Sequence, residues 1–109
     1  MNSPIDINDL CHRAYQTALS KGFWHMAYAL STEDERTKLL AKMALVTSEI
    51  GEAVEALRTE RYGNIEEELA DICIRVFDIA GYLRLSLHQA ILAKMDSNEG
   101  RPPMHGKLA

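Results

Sequence analysis

The sequence predicts an all-α fold, a bundle of about four helices with a long central antiparallel hairpin that assembles as a homo-oligomer. Three observations lead there. Proline occurs only at positions 4, 102 and 103, so the interior lacks its strongest helix breaker. Apolar residues recur at three- and four-residue spacing along most of the chain, and no segment alternates with the period of a strand. The 109 residues hold no repeat or linker that would divide them, so one domain over 1–109 is expected, with a short tail from 100 to 109.

Each helix has its own signals. Asp6 can cap a first helix running to about Lys21, with Leu10, Ala14 and Ala18 four residues apart and Gly22 as its stop. Phe23 and Trp24 begin a connection to about Leu30. Ser31 or Thr32, with Asp34 or Glu35 three residues on, fits a capping box for a second helix from about Glu33 to Thr59. Its main apolar stripe is Leu39, Met43, Val46, Ile50, Ala53, Val54 and Leu57, and Glu49 and Glu52 fall in a strip with Ala41, Leu45 and Ala56, a secondary apolar face. A single bundle would bury one of these faces, and self-association would bury the other.

Tyr62, Gly63 and Asn64 read as a turn. Asn64 is placed to cap a third helix, with Glu67 at the capping-box position and three acids in the first turns. Ile65, Leu69, Ile72, Val76, Ile79 and Leu83 form its stripe. A break falls near Leu85, Ser86 can cap a fourth helix to about Asn98, and Gly100 with Pro102 and Pro103 ends it.

Charge narrows the functional classes. Twelve basic and sixteen acidic residues leave −4, which argues against a binder of nucleic-acid polymers. The charge is uneven: Ser48–Asp71 holds eight acids against Arg58 and Arg61, a local −6, and the rest carries +2. Cys11 and Cys73 lack CxxC spacing and read as reduced core residues of a cytoplasmic protein. No apolar run is long enough to span a membrane, and the N-terminus lacks the pattern of a signal peptide.

The acidic segment contains two pairs, Glu49 with Glu52 on the second helix and Glu68 with Asp71 on the third. Residues three apart share a helix face. A short turn between the helices makes them antiparallel and brings the pairs toward each other. Carboxylates bordering packed faces are costly to desolvate unless paired or metal-bound. Oxygen ligands alone suit Mg²⁺, with Mn²⁺ as a substitute. A solvated acidic face is the competing reading, and Glu55, Glu60 and Glu66 are assigned to solvent. No Glu stands three residues before any histidine, as a di-iron bundle requires. Clustered zinc ligands and a GxxxxGK[ST] phosphate loop are also missing.

The run SEIGEAVEALR from Ser48 to Arg58, followed by EELAD from Glu67 to Asp71, resembles the MazG-like all-α nucleoside triphosphate pyrophosphohydrolases. Their signature is ExxE, a spacer, then ExxD; here fifteen residues separate Glu52 from Glu68. The tail from Lys94 to Asn98 and from Arg101 to Lys107 is similar to the ending of small members, so the resemblance covers about Thr32 to Lys107. It implies cleavage of a (deoxy)nucleoside triphosphate to the monophosphate and pyrophosphate with Mg²⁺. Glu49, Glu52, Glu68 and Asp71 would be the metal ligands, in a site built within a dimer or tetramer. Ser48 stands where some relatives carry another Glu, and Arg75 where some dCTP-specific relatives carry Tyr. Metal number and base preference therefore stay open. House-cleaning of the nucleotide pool and control of normal pools both fit.

On this reading Glu49 or Glu52 takes a proton from the attacking water. Lys94 and Arg75 are candidate phosphate contacts, although Arg75 could instead form an ion pair that orients Asp71, with Asp78 behind it. Asn98 and the basic tail, Arg101 included, are further candidates for nucleotide contact. Trp24 either stacks on the base or anchors the core. The alternatives are a non-catalytic helical dimerisation or regulatory module and another metal-dependent phosphohydrolase.

Overall fold

The computed structural model describes residues 4–24, 34–60, 62 and 64–103. Four helices appear in the expected order: α1 Ile7–Ser20, α2 Asp34–Glu60, α3 Ile65–Tyr82 and α4 Leu87–Glu99. No strand occurs among the described residues. The third helix is the centre of the molecule, packing against both α1 and α2, while α4 touches α1.

Local chemistry explains the helix ends. Asp6 caps α1, its carboxylate accepting the Asn8 amide at 2.7 Å. The helix stops in a Schellman turn: Gly22 has φ +84°, its amide donates to the Leu19 carbonyl, and the Phe23 amide donates to that of Ala18. A second turn of this kind ends α3, with the Arg84 amide on Gly81 and the Leu85 amide on Ala80. Here Arg84 takes the left-handed position at φ +57°. The expected caps at Ser31 and Thr32 lie outside the described residues.

Two caps differ from expectation. Asn64 and Ser86 occupy the N-cap positions of α3 and α4, but neither side chain caps the helix. At α4 the first helix supplies the bond instead: Asn8 Oδ1 accepts the His88 amide at 3.0 Å. In return, the Ile7 amide donates to His88 Nδ1 at 3.0 Å. The N-termini of α1 and α4 cap each other.

Close approach of α1 to α3 needs a glycine at position 81. A Cβ there would collide with the Cys11 carbonyl oxygen and lie 2.7 Å from Tyr15 Cβ. Around this contact sit the fully buried residues Cys11, Ala18, Trp24, Ile79 and Ala80. Burial, and secondarily Asp6, push the Cys11 thiol above its ordinary range. Cys73 is exposed, contrary to the core position expected of it, because it lies on a face of α3 that neither neighbour covers.

The α2 stripe is only partly used. Ala53 is buried and Leu39 and Val46 are half-buried, whereas Met43, Ile50, Val54 and Leu57 are exposed. The seam with α3 therefore takes one edge of that stripe together with Lys42 and with Glu49 from the expected secondary face, both half-buried. No helix among the described residues is long and apolar enough to cross a membrane.

Candidate metal centre and adjoining cavity

The α2–α3 hairpin runs in one antiparallel register. Glu49 stands seven positions after Lys42, and Asp78 seven positions after Asp71. Seven residues make nearly two turns, so each pair keeps to one face. The register sets Glu49 beside Asp71 and Lys42 beside Asp78.

At the first position, carboxylate oxygens of Glu49, Glu68 and Asp71 all lie within 4.8 Å of one another. The set spans both helices, as the two ExxE/D pairs led one to expect for these three. Glu52 stands outside this group and is exposed, but its charge still acts there. Partial burial first, then Glu52, then Asp71 and Glu49 push the Glu68 carboxyl above the ordinary carboxylate range. Three hard oxygen donors under mutual repulsion suit an Mg²⁺-like cation.

Arg75 reaches across the hairpin rather than along its own helix. Its Nε donates to Glu49 Oε1 at 2.8 Å. The intrahelical pair with Asp71 expected from four-residue spacing is thus replaced by a contact on α2, because Glu49 projects into the same seam. Only Nε is used in this bond, and the guanidinium carries further donors.

At the second position lies a buried polar group. Asp78 is 8 % exposed. Its Oδ1 accepts the Trp24 indole N–H at 2.7 Å and its Oδ2 pairs with Lys42 Nζ at 3.4 Å. Trp24 is 1 % exposed. One face stacks on Tyr82 at 4.1 Å and 3°, and Lys42 Nζ sits over the ring at 4.2 Å. Tyr15 meets both rings edge-on, and the Tyr82 hydroxyl donates to Glu35 at 3.1 Å. Of its two expected roles, Trp24 is placed as the core anchor, and its indole presents no open face on which a base could stack.

Between α1 and the hairpin is a cavity of about 670 Å³. Glu49, Asp71 and Arg75 line one end, and Lys42, Asp78 and Phe23 line another part, with Leu10, Ala14 and Ala18 of α1 along the wall. Three cationic side chains border it: Arg13, Lys42 and Arg75. Lys94, Asn98 and Arg101 do not line it; they are exposed on or just beyond α4. His105 and Lys107 of the tail lie outside the described residues. Sequence reasoning passed over Arg13 and Lys42. A signal for Lys42 existed, since its spacing to Glu49 repeats that of Asp71 to Asp78.

A model of the MazG nucleotide pyrophosphohydrolase domain matches residues 37–104, which hold α2 from its fourth residue, all of α3 and α4. The chain is also similar to dCTP pyrophosphatase 1 of Bos taurus, 46% identical over 41 residues. That match covers 38% of this chain and 24% of the relative, so it spans about a quarter of the relative's length. No solved structure matches.

Proposed function

Because the chain belongs to the MazG nucleotide pyrophosphohydrolase domain family, we propose that it hydrolyses nucleoside triphosphates to the monophosphate and pyrophosphate with Mg²⁺, or Mn²⁺ in its place. The observation that carries this reading is the convergence of Glu49, Glu68 and Asp71 within 4.8 Å, two of them, Glu49 and Asp71, lining a cavity of nucleoside size.

These three residues would hold the cation. When bound, it supplies neutralisation of phosphate charge and acidifies a coordinated water. The other tasks fall to the chain's own side chains. Arg75 fixes Glu49 through Nε and offers its terminal nitrogens to a phosphate oxygen, a geometry suited to guanidinium. Glu52, exposed and outside the clustered set, takes the proton of the attacking water in this proposal. Lys94, Asn98 and Arg101 serve as phosphate contacts only if a second copy of the chain brings α4 toward the cavity. Self-association is accordingly part of the proposal, and so is action in nucleotide-pool maintenance.

Purified protein incubated with a panel of NTPs and dNTPs plus Mg²⁺, with product identification, tests the reaction. Monophosphate and pyrophosphate are the expected products; release of orthophosphate alone would overturn it. Glu68→Gln is expected to lose Mg²⁺ binding and about a hundredfold or more of kcat/KM. Glu52→Gln should keep Mg²⁺ affinity while kcat falls. Unchanged turnover in Glu52→Gln removes it as the base.

A further inference from the structure

We infer that the buried Asp78–Lys42 pair reads the hydrogen-bonding edge of the substrate's base and favours bases that carry an exocyclic amine over their oxo counterparts. This rests on the pyrophosphohydrolase reading above, since that reading fixes which end of the cavity takes phosphate.

The argument begins with direction. The Glu49/Asp71 and Lys42/Asp78 positions are seven residues apart on both helices, about 10 Å along the hairpin. Phosphates belong at the Glu49/Asp71 end, where a cation and Arg75 can meet them. The Asp78–Lys42 pair, its charges matched at 3.4 Å, offers a polyphosphate no net positive charge, so the nucleoside runs toward it. Phe23 and the small α1 residues Ala14 and Ala18 line the walls between. Apolar walls suit the faces of a planar base and a polar pair suits its edge.

Next comes unused hydrogen-bonding capacity. Holding the Trp24 indole N–H requires one acceptor, which a neutral carbonyl or hydroxyl could supply without burying a charge. Asp78 instead brings two oxygens with about four lone-pair sites, of which Trp24 and Lys42 take two. Lys42 has three N–H donors, and one serves Asp78. Both residues line the cavity, so acceptor and donor capacity lie side by side on its surface.

Recession of the carboxylate then selects the chemistry. At 8 % exposure, Asp78 is reached by a group that projects from the ring and carries hydrogens at its tip. The amine of cytosine, adenine or guanine does so. In uracil or hypoxanthine the projecting group is an oxo oxygen, which meets the carboxylate lone pair to lone pair, and the ring N–H lies behind it. Beside the amine, the base presents an acceptor that Lys42 can serve in cytosine and adenine.

The test compares wild-type kcat/KM for CTP against UTP and for ATP against ITP, pairs in which an amine is replaced by an oxo group. The amino member is expected to be favoured by about tenfold or more, the equivalent of one charge-assisted hydrogen bond. In Asp78→Asn, which keeps the shape and an oxygen for Trp24, the ratio should fall toward one. Equal wild-type rates within each pair, or preference for UTP and ITP, overturns the inference, and this comparison decides even if Asp78→Asn does not fold. Trp24 is the only tryptophan, so its emission supplies a readout independent of turnover. Titration with α,β-methylene analogues of CTP and UTP should show tighter binding of the amino form. Discrimination in binding without hydrolysis would keep the base-reading pair and discard the reaction; neither binding nor hydrolysis would discard both.

Discussion

Glu68 is where the charge of the acidic segment becomes a measurable constraint. Its carboxyl is raised first by partial burial and then by Glu52, Asp71 and Glu49. A carboxyl raised in the folded state binds its proton more tightly there than in the unfolded chain. The metal-free fold is therefore favoured at acid pH and loses that contribution as pH rises from the ordinary Glu range through the raised value. A divalent cation restores it by replacing the proton. Melting temperature measured against pH should fall through that window without Mg²⁺ and fall less with it; Glu68→Gln should flatten the metal-free curve and abolish the Mg²⁺ effect. Equal curves with and without Mg²⁺ would contradict this. The residues of this cluster were legible in the sequence because three-residue spacing and a short turn fix helix face and direction. The role of Trp24 was not, because its partner Asp78 is 54 positions away. Lys42 was passed over because a lysine within a helix ordinarily marks solvent, whereas here Asp78 and two aromatic rings receive it.

Most helix boundaries were readable to within a residue or two because Asp6, Gly22 and Gly100 are local signals, whereas α3 ends at Tyr82, short of the break expected near Leu85. Helix-end bonds made by distant residues were not. Ser86 has the right identity for a cap, yet Asn8 satisfies the α4 amide. Arg84 shows the same limit: nothing local announces that a bulky residue will sit at φ +57° in the turn closing α3. A non-glycine residue in that region is strained, while glycine pays more entropy on folding. The difference favours Arg84→Gly by about 0.5–1 kcal/mol, measurable as a higher midpoint in urea with an unchanged slope. The reverse holds at Gly81, where a methyl group would strike the Cys11 carbonyl and crowd Tyr15. Backbone oxygen cannot swing aside, so α1 must shift. Gly81→Ala is expected to cost about 1–3 kcal/mol, and an unchanged urea midpoint would show that α1 and α3 are less tightly engaged.

The buried apolar set among the described residues is Cys11, Ala18, Trp24, Ala53, Ile79 and Ala80, and three of these six are alanines. Large apolar residues remain exposed along one edge of α2, Val54 at 51 % and Met43 at 54 % among them, and on α3 Leu69 stands at 53 %. Periodicity announced that α2 has more apolar surface than one seam can cover, but it did not show that α3 would take the edge carrying Lys42 and Glu49. The choice follows from charge, because that edge alone lets Arg75 meet Glu49 and Asp78 meet Lys42. The uncovered edge then becomes the surface for the self-association proposed above, since a contiguous apolar strip in water is an interface or a liability. Two consequences separate these. If a second copy covers the strip, the melting temperature rises with protein concentration, because association stabilises only the folded chain. Val54→Glu, far from Arg75 and Asp78 in the register of the hairpin, should then halve the mass seen by light scattering and remove the concentration dependence. A monomeric wild-type protein at every concentration would leave the strip without a partner copy and would require the phosphate contacts to come from Arg13 and Arg75 of the same chain.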